Sequence, residues 1–321
     1  LGQALSRTLL MTNIRKLVLF SRDELKQHEM SLEFSKLEQC SPENRRIRFF
    51  IGDVRDLPRL RRAFEDIDIV IHAAALKQVP AGEYQPFEPV KTNILGSQNV
   101  IEAALDTHVE KVMGISSDKS VTPTTLYGAT KLVMEKLFVA GNSYVGSHRN
   151  LSLACVRYGN VFGSRGSVFR VFEKILKDGD TNLPVRHRDI TRFWISLPEA
   201  VDFVLKCTEE MWAGDIYVPK LRGSTIYNLA LAMGGDPIVT NKLEPGEKLH
   251  ESMICPDERF EDLRDRYSIS SAGRSTRLSY TSETARDPNF DELFASVGFK
   301  SQKNERDERG CVKIHAQMEK I

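Results

Sequence analysis

The 321-residue chain has little cysteine and no spacing that would pair it. Cys40, Cys155, Cys207, Cys255 and Cys311 are odd in number and never stand as Cys-x-x-Cys. That excludes a disulfide framework and a zinc ribbon, and it suits a reducing compartment, so a cytoplasmic location is expected. The seven histidines form no His-x-x-x-His pair, and no metal is expected. Charge of one sign is not in excess either. Lys and Arg number 45 against 44 Asp and Glu, a net of +1, which gives no general affinity for nucleic acid. No apolar run approaches the roughly 20 residues that span a bilayer, so no membrane partner is expected. Glycine is scarce at the start: Gly2 is the only one in the first 50 residues. A dinucleotide-binding domain opens with a strand and a Gly-x-Gly-x-x-Gly loop. Leu1-Gly2-Gln3-Ala4-Leu5 reads as the last glycine of such a loop entering its helix. The expectation is that a first strand and most of a pyrophosphate cradle are missing ahead of it.

What is present is 41% hydrophobic and 28% charged, ordinary for a globular protein with a sizeable core. Short apolar runs read as strands covered on both faces: Lys16–Phe20, Arg48–Gly52, Ile67–His72, Lys111–Ser116 and Leu151–Tyr158. Helical patterns lie between them at Gln3–Met11, Asp23–Leu37, Leu57–Asp66, Val90–Thr107 and Tyr127–Asn142. Such alternation predicts an α/β fold, a Rossmann-like doubly wound parallel sheet. Beyond about Gly159 glycines and prolines become frequent and strands shorten. The reading is a nucleotide-binding domain over 1–160, a smaller interleaved C-terminal substrate domain over 161–300, and a polar tail over 301–321.

In doubly wound folds ligands lie at the carboxyl ends of the strands. After the first apolar run come Ser21, Arg22, Asp23 and Lys26. An acid there would bind a ribose 2′-hydroxyl, as Asp23 would for NAD. Arg22 and Lys26, with the Ser21 hydroxyl, instead suit the 2′-phosphate of NADP, the cofactor expected here. After the second run come Asp53 and Val54, with Asp53 placed to accept from an adenine amino group. After the third come Ala73, Ala74 and Ala75, small enough for close backbone approach to a cofactor.

The most specific local motif is Tyr127-Gly128-Ala129-Thr130-Lys131. Tyr and Lys four apart share a helix face. Lys131 is placed to bind the nicotinamide ribose and to lower the Tyr127 pKa, so that a tyrosinate takes a hydroxyl proton as hydride leaves the same carbon. Just upstream, at the end of a predicted strand, stand Ser117, Asp118 and Lys119. A hydroxyl, an acid and a base side by side are what elimination of water next to a ketone requires.

Several stretches together resemble one family, the inverting UDP-N-acetylglucosamine 4,6-dehydratases of the extended short-chain dehydrogenase/reductase type. They are SRDELKQHEM, FFIGDVRDLPRL, HAAALKQVPAGEYQP, KTNILGSQNVI, SSDKSVTPTTLYGATK, VRYGNVFGSRGSV, TRFWISL and PGEKLHE, within about residues 1–255, with a weaker echo at Tyr280–Phe299. The resemblance implies a UDP-sugar substrate, NADP, a homo-oligomer, and a place at the start of pseudaminic acid synthesis for surface glycans. It further implies that Tyr127 assists oxidation at C4″, Lys119 removes the C5″ proton and later returns one from the opposite face, and Asp118 protonates the departing C6″ hydroxyl. It adds Lys77, Asn160, Val168, Arg192 and Glu247 as substrate contacts, and Thr92 and Asn93 on the cofactor side.

The sequence departs from the family at Glu244, where an Arg facing the diphosphate is usual and Lys242 is the nearest compensating cation. It departs also at Pro184–Ile190, where a Thr-Asp run is usual, and at Ser117 for Thr. Two alternatives stand beside the dehydratase: a 4-epimerase or other nucleotide-sugar dehydratase, and an inactive truncated relative.

Overall fold

The computed structural model describes residues 1–37, 46–164, 166–273, 278–287 and 294. Cys40, Cys311, the polar tail over 301–321 and most of the echo after residue 287 lie outside the described residues.

The chain opens with the helix Gly2–Leu10 and then strand β1 (Leu17–Ser21). The helix Glu24–Phe34 follows, capped by Asp23, whose carboxylate accepts from the Lys26 backbone N–H. Strand β2 (Ile47–Ile51) leads to the helix Leu57–Ala63, capped in the same way by Asp56. Next come β3 (Ile69–His72), β4 (Lys111–Ile115) and β5 (Ser152–Val156). Each falls within two residues of its apolar run. The segment before β4 is helical but not uniformly so. A π-helical stretch, Val90–Leu95, precedes the α-helix Gly96–Asp106, and the short helix Val79–Tyr84 has no counterpart in the sequence reading.

The sheet differs from a continuous parallel one. β3, β4 and β5 pair in parallel and continue to Ile216–Pro219. Two antiparallel strands, Arg266–Ile269 and Phe260–Asp262, then complete a six-stranded sheet. β1 and β2 form a separate two-stranded parallel sheet. The division falls between β1 and β3, whose free edges line the same cavity. Burial follows the division: β4 and β5 are almost wholly buried, whereas all five residues of β1 are only partly covered and Ile69 of β3 is 49% exposed.

The main core joins the six-stranded sheet to its helices through Val112, Phe138, Leu153, Cys155 and Val218. A second core, around Phe169, Phe172, Trp194 and Leu229, supports the substrate-side strands. There Arg222–Thr225, Thr191–Ile195 and Asn160–Val161 form a three-stranded sheet. Among the described residues no helix is long and apolar enough to cross a membrane.

Candidate active site

One cavity of about 2340 Å³ runs from the gap beside β1 to the substrate-side strands. On the β1 side it is lined by Gly2, Ser21, Arg22, Lys26, Asp53 and Val54, and beside β3 by Ala73, Ala74 and Ala75. Thr92, Ser117, Lys119, Tyr127 and Lys131 border its middle. Lys77, Asn160, Val168, Arg192 and Glu247 border its far end. Positions scattered over the sequence thus share one continuous space. Asp118 and Asn93 are buried beside it.

β4 ends at Ile115, and the chain turns through a 3₁₀ turn, Asp118–Ser120. The turn is held at both ends. The Asp118 backbone N–H donates to the Tyr158 carbonyl at 3.1 Å, and the Ser120 hydroxyl donates to Glu135 Oε1 at 2.8 Å. Glu135 is itself buried against Arg157, which donates from Nε at 3.0 Å and from Nη2 at 2.7 Å. Arg157 also donates to Glu258 and to the Met253 carbonyl. The helix Leu126–Gly141 begins at the same place, with Thr125 as cap and Glu83 accepting from the Leu126 N–H at 2.7 Å. Tyr127 therefore sits in the first turn of a helix whose mid-length Glu135 anchors the turn that carries Asp118 and Lys119.

Lys119 Nζ lies 3.1 Å from Asp118 Oδ1, 3.4 Å from Asn160 Oδ1 and 3.5 Å from Glu251 Oε1. Burial works to lower the Lys119 pKa, but Asp118 and Glu251 outweigh it and hold the ammonium above its usual range. Burial raises the Asp118 carboxyl above the usual carboxylate range, Glu251 adds to this, and Lys119 and Ser117 oppose it. Asp118 Oδ2 is buried without a hydrogen-bond partner. The two directions are linked: the Asp118 charge is the largest cause that holds Lys119 up, while burial draws Asp118 itself upward.

Tyr127 corrects one expectation. Its pKa is raised, because burial dominates; the cation that opposes this is Lys119, not Lys131. Lys131 points instead at the Ile115 carbonyl, at 2.7 Å, and burial pushes it down to about 8. Asn93 is fully used within the protein: it donates to the Leu76 carbonyl and Thr130 Oγ1 and accepts from the Leu76 N–H. It fixes the chain after β3 to the Tyr127 helix. On the outer rim Arg22 pairs with Asp53 at 3.7 Å, and Arg55 also binds Asp53, at 2.7 Å.

A family model described as polysaccharide biosynthesis protein matches residues 1–270. The chain belongs to this family. A relative from Campylobacter jejuni subsp. jejuni serotype O:23/36 (strain 81-176), named UDP-N-acetylglucosamine 4,6-dehydratase (inverting), is 48% identical over 76% of this chain and 70% of its own length. A UDP-glucose 4-epimerase from Rickettsia conorii (strain ATCC VR-613 / Malish 7) is 40% identical over 83% of this chain and 77% of its own. Among solved structures, Pen from Bacillus thuringiensis superposes with a TM-score of 0.83 at 32% identity, covering 92% of this chain and 96% of that one.

Two residues that line the cavity were not singled out by the sequence reading. Arg186, in the divergent Pro184–Ile190 run, lines the cavity and pairs with Glu247 at 2.8 Å and Glu244 at 3.4 Å. The cation that faces Glu244 is therefore Arg186 rather than Lys242. Glu251 is the other, buried against Lys119 from a distant part of the chain. Only folding brings either residue to the site; no local spacing signals it.

Gly128 explains the second letter of the Tyr-Gly-Ala-Thr-Lys motif. A Cβ there would lie 2.3 Å from the Lys119 carbonyl oxygen, so only glycine lets the helix meet the Asp118–Ser120 turn this closely. Gly128→Ala is expected to part Tyr127 from Lys119 and lower kcat by about 100-fold, the scale of a misplacement of about 1 Å. Steady-state kinetics with the fold verified by circular dichroism check this; a kcat within threefold of the parent would contradict it.

Proposed function

We propose that the chain is an NADP-dependent UDP-N-acetylglucosamine 4,6-dehydratase that inverts C5″ and yields a UDP-4-keto-6-deoxy-hexosamine. The observation that carries the reading is the pair of a buried Asp118 and a half-buried Lys119 at 3.1 Å, with Lys119 and Tyr127 lining one cavity. A 4-epimerase needs only a group that handles the C4″ hydroxyl. A buried carboxyl raised above its usual range, next to a lysine, suits loss of a hydroxyl beside a ketone. The relative named as an inverting dehydratase supports the substrate class and stereochemistry.

The residues present fit a dinucleotide. Ala73–Ala75 leave room at the carboxyl end of β3, and the buried hydroxyls of Thr92 and Ser116 border the cavity without a hydrogen-bond partner. Ser21, Arg22, Lys26, Asp53 and Val54 would hold its adenosine end, with Arg22 and Lys26 on a 2′-phosphate, while Thr92, Tyr127 and Lys131 would hold its nicotinamide end. A nicotinamide held there would supply a hydride acceptor for C4″ and a hydride donor for C6″. Tyr127 as tyrosinate would take the C4″ hydroxyl proton, Lys119 as free amine would take the C5″ proton, and Asp118 in its acid form would give its proton to the leaving C6″ hydroxyl. Lys77, Asn160, Val168, Arg192 and Glu247 would seat the UDP-sugar, with Arg186 beside its diphosphate.

We place the protein in the cytoplasm as a homo-oligomer, at the first step of pseudaminic acid synthesis. Calorimetric titration with NADP and NAD tests the cofactor side. NADP is expected to bind at least about tenfold more tightly than NAD. Mass spectrometry of UDP-N-acetylglucosamine incubated with the loaded protein tests the chemistry. Loss of one water is expected, and an isomer of unchanged mass would point to the epimerase instead.

A further inference from the structure

Thr122, between Lys119 and Tyr127, has φ +42° and is followed by Pro123. A β-branched side chain fits that region poorly, and a following proline disfavours it further. Such strain persists only where the surroundings over-determine it. Here the restraint comes from a distant part of the chain, the loop 246–249. On one side of Thr122, the Val121 carbonyl accepts from Lys248 Nζ at 2.7 Å. On the other, the Thr124 hydroxyl donates to the Gly246 carbonyl at 2.7 Å. Gly246 has φ +76°, and a Cβ there would lie 2.8 Å from the Thr124 carbonyl oxygen, so the two segments meet at backbone contact. The Lys248 side chain is 15% exposed and lines the cavity, with its ammonium also 3.7 Å from Glu251 Oε2. The same loop reaches the far end of the cavity. Glu247 pairs with Arg186 at 2.8 Å and Arg192 at 3.3 Å, and Arg192 donates to the Lys248 and Leu249 carbonyls.

We infer that Lys248 is a positioning residue: through the Val121 carbonyl it holds Thr122 in its strained turn and so sets the distance of Lys119 from Tyr127. Its effect on turnover rests on the dehydratase reading above; the clamp itself does not. An ammonium donating to a carbonyl makes a charge-assisted hydrogen bond, about twice as strong as a neutral one. Without it, Val121 to Pro123 are free to relax toward the extended backbone that a threonine before proline prefers. The Asp118–Ser120 turn stays, because the Tyr158 carbonyl and Glu135 hold it. The helix start stays as well, because the Thr125 hydroxyl and Glu83 accept from its first N–H groups. The slack therefore falls between them, as a variable separation of Lys119 from Tyr127. Lys248 acts through this segment and not on the sugar. Since its neighbours in the loop hold Arg186 and Arg192, the loop links the arginine end of the cavity to that separation.

Kinetics and hydrogen exchange on the full chain test the assignment. Lys248→Met is expected to lower kcat for water loss about 100-fold, the scale of a misplacement of about 1 Å, with KM within about threefold. KM is spared because the contacts to Arg186 and Arg192 use Glu247 and backbone carbonyls, not the Lys248 side chain. Lys248→Arg, which still donates to the Val121 carbonyl, is expected to keep most of the parental rate. Adding Thr122→Gly to Lys248→Met is expected to restore kcat at least about tenfold, because glycine adopts a positive φ without a clamp. Lost charge beside Glu251 would not be repaired in this way, so a double variant no faster than Lys248→Met would overturn the assignment. Hydrogen–deuterium exchange of the resting protein, read by mass spectrometry, needs no turnover. Amides of residues 120–127 in Lys248→Met are expected to exchange about tenfold faster than in the parent, with β4 and β5 unchanged. Equal exchange over 120–127 would overturn the assignment whatever the reaction. Faster exchange there, with no water loss by the parent, would overturn the dehydratase reading and leave the clamp standing.

Discussion

Replacing Lys119 with Met is expected to abolish 4-keto-6-deoxy product, with kcat at least about 1,000-fold down, while leaving oxidation at C4″ in place. Removing a positioned proton-transfer group costs about 10² to 10⁴ in rate. Lys119 is in addition the cation between two buried acids, Asp118 and Glu251. Met keeps much of the side-chain volume, so the turn can hold its shape. Without the amine, the assigned acceptor of the C5″ proton is gone, and the sugar is expected to stall as a 4-ketone that still carries its C6″ hydroxyl. The signature is reduced nicotinamide that accumulates to no more than one per site, seen by absorbance, with no exchange of the C5″ hydrogen. Tyr127→Phe is expected to differ in kind: it stops the first proton transfer, so neither reduced cofactor nor exchange appears. Product formation by Lys119→Met within tenfold of the parent would contradict the assignment of the base.

Arg157→Met is expected to give the largest loss of stability, about 3–5 kcal/mol, because it leaves charged partners buried and uncompensated. The Arg157 guanidinium is 1% exposed and holds both Glu135 and Glu258, along with the Met253 carbonyl. Met has similar length and packs in the same space, so the cost is electrostatic rather than a cavity. Denaturant unfolding should show the lower midpoint with little change in slope, and thermal unfolding a fall of about 6–20 °C, given about 2–4 °C per kcal/mol in domains of this scale. A loss below about 1 kcal/mol would mean that water or rearranged side chains replace the guanidinium. The same ion pair reaches the site, since Glu135 also accepts from Ser120 in the turn bearing Lys119. Turnover at temperatures where the variant remains folded is therefore expected to fall as well.

The sequence made the sheet legible where strands are covered on both faces, because a short, continuous apolar run rich in β-branched residues fits little besides a buried strand. The β4 and β5 runs matched closely for that reason, and Tyr127 and Lys131 were placed on one helix by spacing alone. What spacing did not carry was direction. Lys131 shares a helix face with Tyr127, yet its amine is drawn to the Ile115 carbonyl, because a buried ammonium needs an acceptor nearer than a phenol. Asn93 was assigned to the cofactor from resemblance, but its amide closes hydrogen bonds to Leu76 and Thr130. Arg186 and Glu251 meet the site only through tertiary folding, the first across from Glu244 and the second across from Lys119. The split between β1 and β3 likewise reflects pairing, which no single strand announces.

The most direct measurement incubates the NADP-loaded protein with UDP-N-acetylglucosamine in heavy water and follows the sugar by NMR and mass spectrometry. Loss of water with deuterium at C5″, and ring-proton couplings of the inverted C5″ configuration, are the expected result. A product that keeps its C6″ hydroxyl and carries no deuterium at C5″ would contradict dehydratase chemistry at Asp118 and Lys119.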